Sequence, residues 1–295
     1  MRTRRLLGLD IGGSSSRARL VAGGRIVAEV EGAGANVAAL PPAVVESRLT
    51  ELLAGIGETP DACCAGSAGA EVPVARALLE DLLASILPGC KITVVHDSHL
   101  VLAAAGFDSG IALISGTGAV VFGRNREGKE ARAGGWGWQL GDDGSATWLA
   151  REAAREVMRR SDAGEPLGKL GEAMLQAANA TGTADLVGKL NSFLEPREWA
   201  ALAGIVFDAA GDDSGAALLV ERTAAALAQL VTSMRKRLSM DGPVVLAGGQ
   251  LLNQPRLEAA VRRLLGDATR LNEPPVAGAV RLAGLSLKGS SGPAA

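Results

Sequence analysis

Two stretches of the chain open in the same way. Residues 5–21 read RLLGLDIGGSSSRARLV and residues 110–124 read GIALISGTGAVVFGR. Each is an apolar run of strand length, then a turn of glycines and hydroxyl residues, then a second strand-like run. The shared opening predicts an internal repeat, two similar domains laid end to end. The chain has room for both: 295 residues accommodate two ordinary domains, and 47% hydrophobic residues supply each with a core.

In the first half, short β-type runs at 6–11, 17–21 and 26–30 are separated by Gly-rich turns, which predicts an antiparallel meander. Helical spacing follows at 41–55, a buried strand at 61–65 ending in GSAG, a helix at 72–87, a strand at 91–95 and a helix at 99–105. The pattern restarts at Gly110 with strands at 111–115 and 120–124 around the GTG turn. Long amphipathic helices are expected at 144–160 and 215–238, with shorter helical pieces between them. A buried strand at 243–247 runs into GGQ, and a last helix at 275–287 precedes the tail GSSGPAA. Meanders followed by alternating helix and strand predict mixed sheets with helices on their faces, an α/β fold.

Charge and composition exclude several classes of function. Thirty basic against thirty-two acidic residues leave a formal charge of −2, so no global field favours nucleic acid or an anionic membrane. Aromatics make up 3% and tyrosine is absent, which removes most platforms for base stacking. Cys63, Cys64 and Cys90 fit neither a disulfide framework nor a CxxC metal spacing and read as reduced thiols of a cytoplasmic protein. The apolar run after MRTRR is broken by Asp10 and glycines, too short for a secretion signal, and no run is long enough to cross a membrane.

In the first hairpin, Gly12 and Gly13 remove the Cβ that would keep a ligand off the backbone, and Ser14, Ser15 and Ser16 add hydroxyls. A concavity of amides and hydroxyls suits a phosphate. Asp10 at its edge would repel that phosphate unless a cation sat between them, so it fits a Mg²⁺ partner acting through water. An ordinary Gly-Gly hairpin remains the plain alternative. In ISGTGA, Gly116, Thr117 and Gly118 repeat the same chemistry, and Gly248 and Gly249 in VVLAGGQ leave a strand with the bare backbone that an adenosine moiety requires. The ordered set predicts a nucleotide held in a cleft between the two domains.

Two rival nucleotide motifs fail. GRNREGKE at 123–130 has the P-loop spacing, yet Glu130 stands where Ser or Thr is required and the segment joins two strands. No GxGxxG stands between a strand and a helix. VVHDSH at 94–99 places Asp97 between a buried strand and a helix, as a directed carboxylate or as an N-cap. His96 and His99 flank it without metal-site spacing. RAGGWGWQLGDDGSATWLA at 132–150 holds five glycines, three tryptophans and the acids Asp142 and Asp143, which are placed at the start of the next helix. Such a loop predicts a ligand pocket, with Trp148 on the core face of that helix.

Taken in order, DIGGSSS, GANVA, GSAG, VHDSH, ISGTGA, GGWGWQLGDDGS and LAGGQ resemble the N-acetylglucosamine kinase group of the sugar kinase/Hsp70/actin superfamily, also described as BadF/BadG/BcrA/BcrD-type ATPases. The resemblance implies two duplicated ribonuclease H-like (actin-like ATPase) domains, 1–109 completed by a C-terminal helix at 278–288, and 110–277, with a flexible tail at 289–295. It implies ATP and Mg²⁺, with Asp10, Gly12, Gly13, Ser14, Gly116 and Thr117 around the phosphates and metal. Asp97 is implied as catalytic base, and Asn36, Asp97, Ala119, Gly135 and Asp142 as sugar contacts, with Gly248 and Gly249 on the adenosine side. The activity implied is phosphorylation of the 6-hydroxyl of N-acetylglucosamine or glucosamine by a cytoplasmic homodimer. A dehydratase-activating ATPase and a silent sugar sensor are the alternatives. Ser14 replaces the family's usual threonine, Asp143 the glutamate of GDEGS, and Ala119 the serine of GTGS.

Overall fold

The structure, a computed structural model, describes residues 3–288 except 14, 68 and 71. The chain divides into two compact units: residues up to Asp108 together with those from Leu271 onward, and Ser109–Arg270.

The first unit is built from β1 (Arg5–Ile11), β2 (Ser15–Ala22), β3 (Arg25–Ala33), α1 (Pro42–Ala54), β4 (Ala62–Ser67), α2 (Pro73–Ile86), β5 (Lys91–Val95) and α3 (Asp97–Ala104). Its sheet runs β3-β2-β1-β4-β5, antiparallel through the first three strands and parallel from β1 to β5. Strand parity sorts β1: Leu7, Leu9 and Ile11 are fully buried against Leu49, Leu79 and Leu83 of α1 and α2. Leu6, Gly8 and Asp10 therefore fall on the other face.

The second unit repeats that plan. It contains β6 (Gly110–Ser115), β7 (Ala119–Arg124), β8 (Glu130–Gly134), α4 (Ala146–Asp162), α5 (Gly168–Ala177), α6 (Thr183–Asn191), α7 (Pro196–Ala200), α8 (Ala203–Ala209), α9 (Ser214–Leu238), β9 (Val244–Ala247), α10 (Gly249–Asn253), α11 (Pro255–Leu265) and β10 (Ala268–Arg270). Its sheet runs β8-β7-β6-β9-β10, so β6 takes the place of β1 and β9 that of β4. The segment with P-loop spacing is the β7–β8 hairpin turn, where Asn125 Oδ1 accepts the N–H groups of Glu127 and Lys129 and Arg124 pairs with Glu130.

The last helix, α12 (Pro275–Lys288), starts at 275 as the helical spacing predicts, three residues ahead of the 278 that the resemblance implied, and the return to the first unit falls at Leu271. Small residues explain its docking. A Cβ on Gly278 would lie 2.0 Å from the carbonyl oxygen of Leu100, so only glycine lets α12 touch the α3 backbone. Ala279 and Ala283 pack with Ala62, Cys64 and Leu100 on the face of the sheet opposite Leu7 and Leu9. Cys63 faces one core and Cys64 the other, both fully buried. Burial pushes the Cys64 thiol up to about 12 and Cys90 to about 11, and holds that of Cys63 well above the ordinary thiol range. Among the described residues no helix is long and apolar enough to cross a membrane.

Candidate functional site

In the first unit the chemistry gathers at the carboxyl ends of the parallel strands, where open α/β sheets place their ligands. Asp10 is in register with Arg17 of β2 and Gly66 of β4, and Gly66 is in register with Val95 of β5. Asp97 begins α3 two residues beyond Val95, on the same edge as Asp10. Burial and then the charge of Asp97 push the Asp10 carboxyl up to about 6, against a smaller pull from Arg17. A desolvated Asp10, with the more exposed Asp97 on the same edge and Arg17 as the opposing cation, fits a divalent ion placed between protein and phosphate.

Asp97 is not the cap of its helix. His96 occupies that position and its ring accepts the N–H of Ser98, while its Nδ1 lies 3.0 Å from Asp97 Oδ1 and 2.5 Å from Ser98 Oγ. The Asp97 side chain stays 36% exposed, so it is free of helix-capping duty and open to a ligand. Among the described residues no group of three or more His, Cys, Asp or Glu could hold a metal; Mg²⁺ needs less, one or two carboxylates with water and phosphate.

In the hairpin itself Gly12 N–H donates to Ser15 O at 3.0 Å, and a Cβ on Gly13 would meet nothing within 4 Å, which leaves that side of the turn open. Ser15 is exposed at the start of β2, whereas Ser16 is buried and accepts the N–H of Ala35. Ser14 lies outside the described residues. Asn36 Oδ1 accepts the Ala38 N–H at 2.9 Å, which leaves the amide N–H₂ of this half-buried side chain as donors.

In the second unit the GTG turn closes on itself, Gly116 N–H donating to Gly118 O at 2.9 Å, and Gly116 O accepts from the first residue of α4, Ala146. Gly248, at φ +91°, crosses so close to β6 that a Cβ would lie 2.3 Å from Ser115 O. That crossing brings Gly249 N to within 3.7 Å of where a Cβ on Gly116 would stand, so the two glycine turns adjoin. Gln250 fixes the arrangement by donating to Gly144 O at 3.0 Å, beside the bond from Ser115 Oγ to the same carbonyl. Gly248→Ala is therefore expected to cost about 1–3 kcal/mol through forced left-handed backbone and steric displacement. Gly13→Ala should stay within about 0.5 kcal/mol of wild type. Thermal unfolding of the two variants checks the contrast.

Beside these turns lies a cavity of about 470 Å³, walled by Gly116, Thr117 and Gly249 on one side and by Ala200, Gly204 and Phe207 of the α7–α8 region on the other. Thr147, fully buried, joins the two walls: its hydroxyl lies 2.8 Å from Thr117 O and 2.9 Å from Pro196 O. The α7–α8 wall carried no sequence motif; its only trace is the run of small residues ALAG at 201–204 after the proline that opens α7.

The Gly/Trp loop differs from expectation in two details. Helix α4 begins at Ala146 with Ser145 as its cap, so Asp142 and Asp143 precede it. Ala119 is 2% exposed and its methyl belongs to the core, so it contributes backbone only: its N–H bonds Asp142 and its carbonyl accepts the Gly135 N–H at 2.8 Å. Gly135, at φ +67°, is clasped by Arg132, which donates to its carbonyl. Asp142, 9% exposed and at φ +58°, packs against Gly118 and accepts the Gly137 N–H as well. Its Oδ1 has no partner among the described residues, and burial holds its carboxyl above the ordinary range. Trp148 is half-buried against the core beneath Arg222, while Trp136 is 71% exposed.

The model of the BadF/BadG/BcrA/BcrD ATPase family matches residues 7–280. The chain belongs to that family. Within it, 33% identity over 167 residues links the chain to an N-acetylmuramic acid/N-acetylglucosamine kinase from Clostridium acetobutylicum, covering 53% of this chain and 54% of that protein. An N-acetyl-D-glucosamine kinase from Dictyostelium discoideum is 29% identical over 202 residues, 64% of this chain and 62% of the relative. The matches thus span little more than half of those two proteins. Among solved structures, a protein provisionally assigned as an N-acetylglucosamine kinase from Chromobacterium violaceum aligns over 95% of this chain and 99% of its own, at 25% identity and TM-score 0.74. A ROK family glucokinase from Streptomyces griseus, solved with glucose and AMPPNP, shares the fold at 18% identity and TM-score 0.58, over 95% of this chain and 98% of its own. This member of the BadF/BadG/BcrA/BcrD family is thus an α/β protein of the actin-like ATPase and sugar kinase fold.

Proposed function

We propose that this protein is an ATP-dependent amino-sugar kinase that transfers the γ-phosphoryl group of MgATP to the 6-hydroxyl of N-acetylglucosamine or glucosamine. The observation that carries the reading is the placement of Asp97: a half-exposed carboxylate on the strand-end edge that also bears Asp10, with the capping of α3 left to His96. The names of the Clostridium and Dictyostelium relatives support an amino sugar as acceptor.

In this reading Asp97 accepts the proton of the sugar hydroxyl as its oxygen bonds to the γ-phosphorus and the bond to the β-γ bridging oxygen breaks, releasing ADP. Bound Mg²⁺ supplies neutralisation of charge on the phosphates, and Asp10 would hold it through water. The reading assigns phosphate contacts to Gly12, Gly13, Ser14 and Ser15 and to Gly116, Thr117 and Gly118, and nucleoside contacts to Gly248 and Gly249. Asn36, Gly135 and Asp142 contact the sugar; the partnerless Asp142 Oδ1 supports that role by offering an acceptor for a hydroxyl. Burial of Cys63 and Cys64 on opposite faces of β4 gives the dehydratase-activator alternative no exposed thiolate pair to hold a cluster.

The test is ADP release from MgATP against a panel of amino sugars and plain hexoses. N-acetylglucosamine or glucosamine is expected to give the highest kcat/KM. Release of ADP at the same rate with and without every sugar would overturn the assignment.

A further inference from the structure

Resting on the nucleotide reading of the 470 Å³ cavity, we infer that Arg197 is a nucleotide-contacting residue, placing its guanidinium on the phosphates of the bound nucleotide. Among the described residues that line this cavity it is the only ionisable side chain; the rest are glycine, alanine, threonine, glutamine and phenylalanine. A cation on this wall offsets the charge that the neighbouring turn already carries. Asp142 packs against Gly118, the third residue of the phosphate-type turn, and an acid there opposes an anionic ligand.

Arg197 is held in reach of that turn by structure on both sides of it. Thr147 bridges the carbonyls of Thr117 and Pro196, so the residue just before Arg197 is tied to the middle of the GTG turn through one hydroxyl. A reciprocal capping box, Glu195 and Glu198, fixes the first turn of α7, with Glu198 Oε2 accepting the N–H groups of Leu194 and Glu195 at 2.8 Å. Both acids of that box are engaged with backbone, and neither takes an ion pair with Arg197 among the described residues. Most other arginines of the second unit are committed: Arg155 and Arg222 to Glu152, Arg159 to Glu156, Arg160 to Asp213, Arg263 to Glu221. A guanidinium left uncommitted on a cavity wall, beside a turn of bare amides, suits the fork geometry of phosphate oxygens. The position distinguishes this role from stacking on the base, because the tether leads to the phosphate-type turn.

The experiment measures binding of ADP and of adenosine to the full chain by calorimetry, in wild type, Arg197→Ala and Arg197→Lys. Arg197 is exposed, so both variants are expected to unfold at the wild-type temperature. The inference expects Arg197→Ala to weaken ADP by about 10–100-fold with adenosine changed by less than about twofold, and Arg197→Lys, which keeps the charge and loses the fork, to recover only part of the ADP affinity. Equal loss for ADP and adenosine would assign Arg197 to the base instead, and unchanged ADP affinity would remove it from the site; either result overturns the inference and leaves the kinase reading standing. A wild-type chain that binds neither ADP nor adenosine would overturn both.

Discussion

Asp97→Asn is expected to lower kcat by roughly 10²–10⁴, the scale for loss of a general base, while leaving the affinity for ATP nearly intact. The structure separates this effect from any loss of fold. Asparagine keeps the size and the hydrogen-bonding oxygen of the side chain, and the cap of α3 belongs to His96, whose bond to the Ser98 N–H is untouched. What changes is charge. The negative end that complements the α3 N-terminus disappears, a loss of about 0.3–1 kcal/mol. In the same step the like-charge repulsion that helps push Asp10 up is relieved, which works in the opposite direction. Net stability should therefore move little, and an unfolding midpoint near that of wild type together with collapsed turnover is the expected pair of results. Turnover close to wild type would return Asp97 to a structural role and remove the observation on which the proposed function stands.

The parts of this fold that could be read from the sequence are those fixed by neighbours in the chain. The hairpins around DIGGSSS and SGTGA carry their own turn chemistry, and the sheets place them at equivalent ends of β1 and β6. Even the parity of β1 was readable, since Leu7, Leu9 and Ile11 alternate with Gly8 and Asp10. The same parity applied to β7 puts the Ala119 methyl inward with Val121, where it is found. Strand β10 is not legible in the sequence because three residues carry no period. Helix α12 has a legible helical pattern, but its partner does not lie near it in sequence: the contact is made through Gly278 against Leu100. The cavity wall at α7 and α8 is the clearest case of a site invisible in one dimension. Alanines and glycines there carry no chemistry of their own and become a pocket only when Thr147 ties α7 to the GTG turn. Whether Asp97 caps its helix was likewise a matter of one residue's dihedral angles, and His96 rather than Asp97 holds the extended conformation of a cap.

Removing the carboxylate of Asp213 is expected to cost the second unit about 3 kcal/mol, because the buried Arg160 guanidinium is left with Glu156 as its one carboxylate partner and three backbone N–H groups lose their acceptor. Asp213 accepts both Nη atoms of Arg160, at 2.8 and 2.7 Å, and also the N–H groups of Leu170, Gly215 and Ala216, so one side chain pairs a charge, anchors α5 and caps the 25-residue helix α9. Its side chain is 3% exposed and that of Arg160 10%, so water does not replace what is lost. Asp213→Ala removes all of these functions at once, whereas Asp213→Asn keeps an oxygen for the caps and should cost less, which separates charge from hydrogen bonding. The pH dependence follows from the sign of the shift. The Arg160 bond holds the Asp213 carboxyl below the ordinary carboxylate range, so its contribution is fully present above the unfolded-state value of roughly 3.9 and is lost as the pH falls through the folded one. Denaturant unfolding of wild type and Asp213→Asn should therefore show a gap that is constant at neutral pH and narrows below about pH 4. A gap that persists unchanged down to pH 3 would mean that the charge of Asp213 does not contribute to stability and that its caps carry the whole effect.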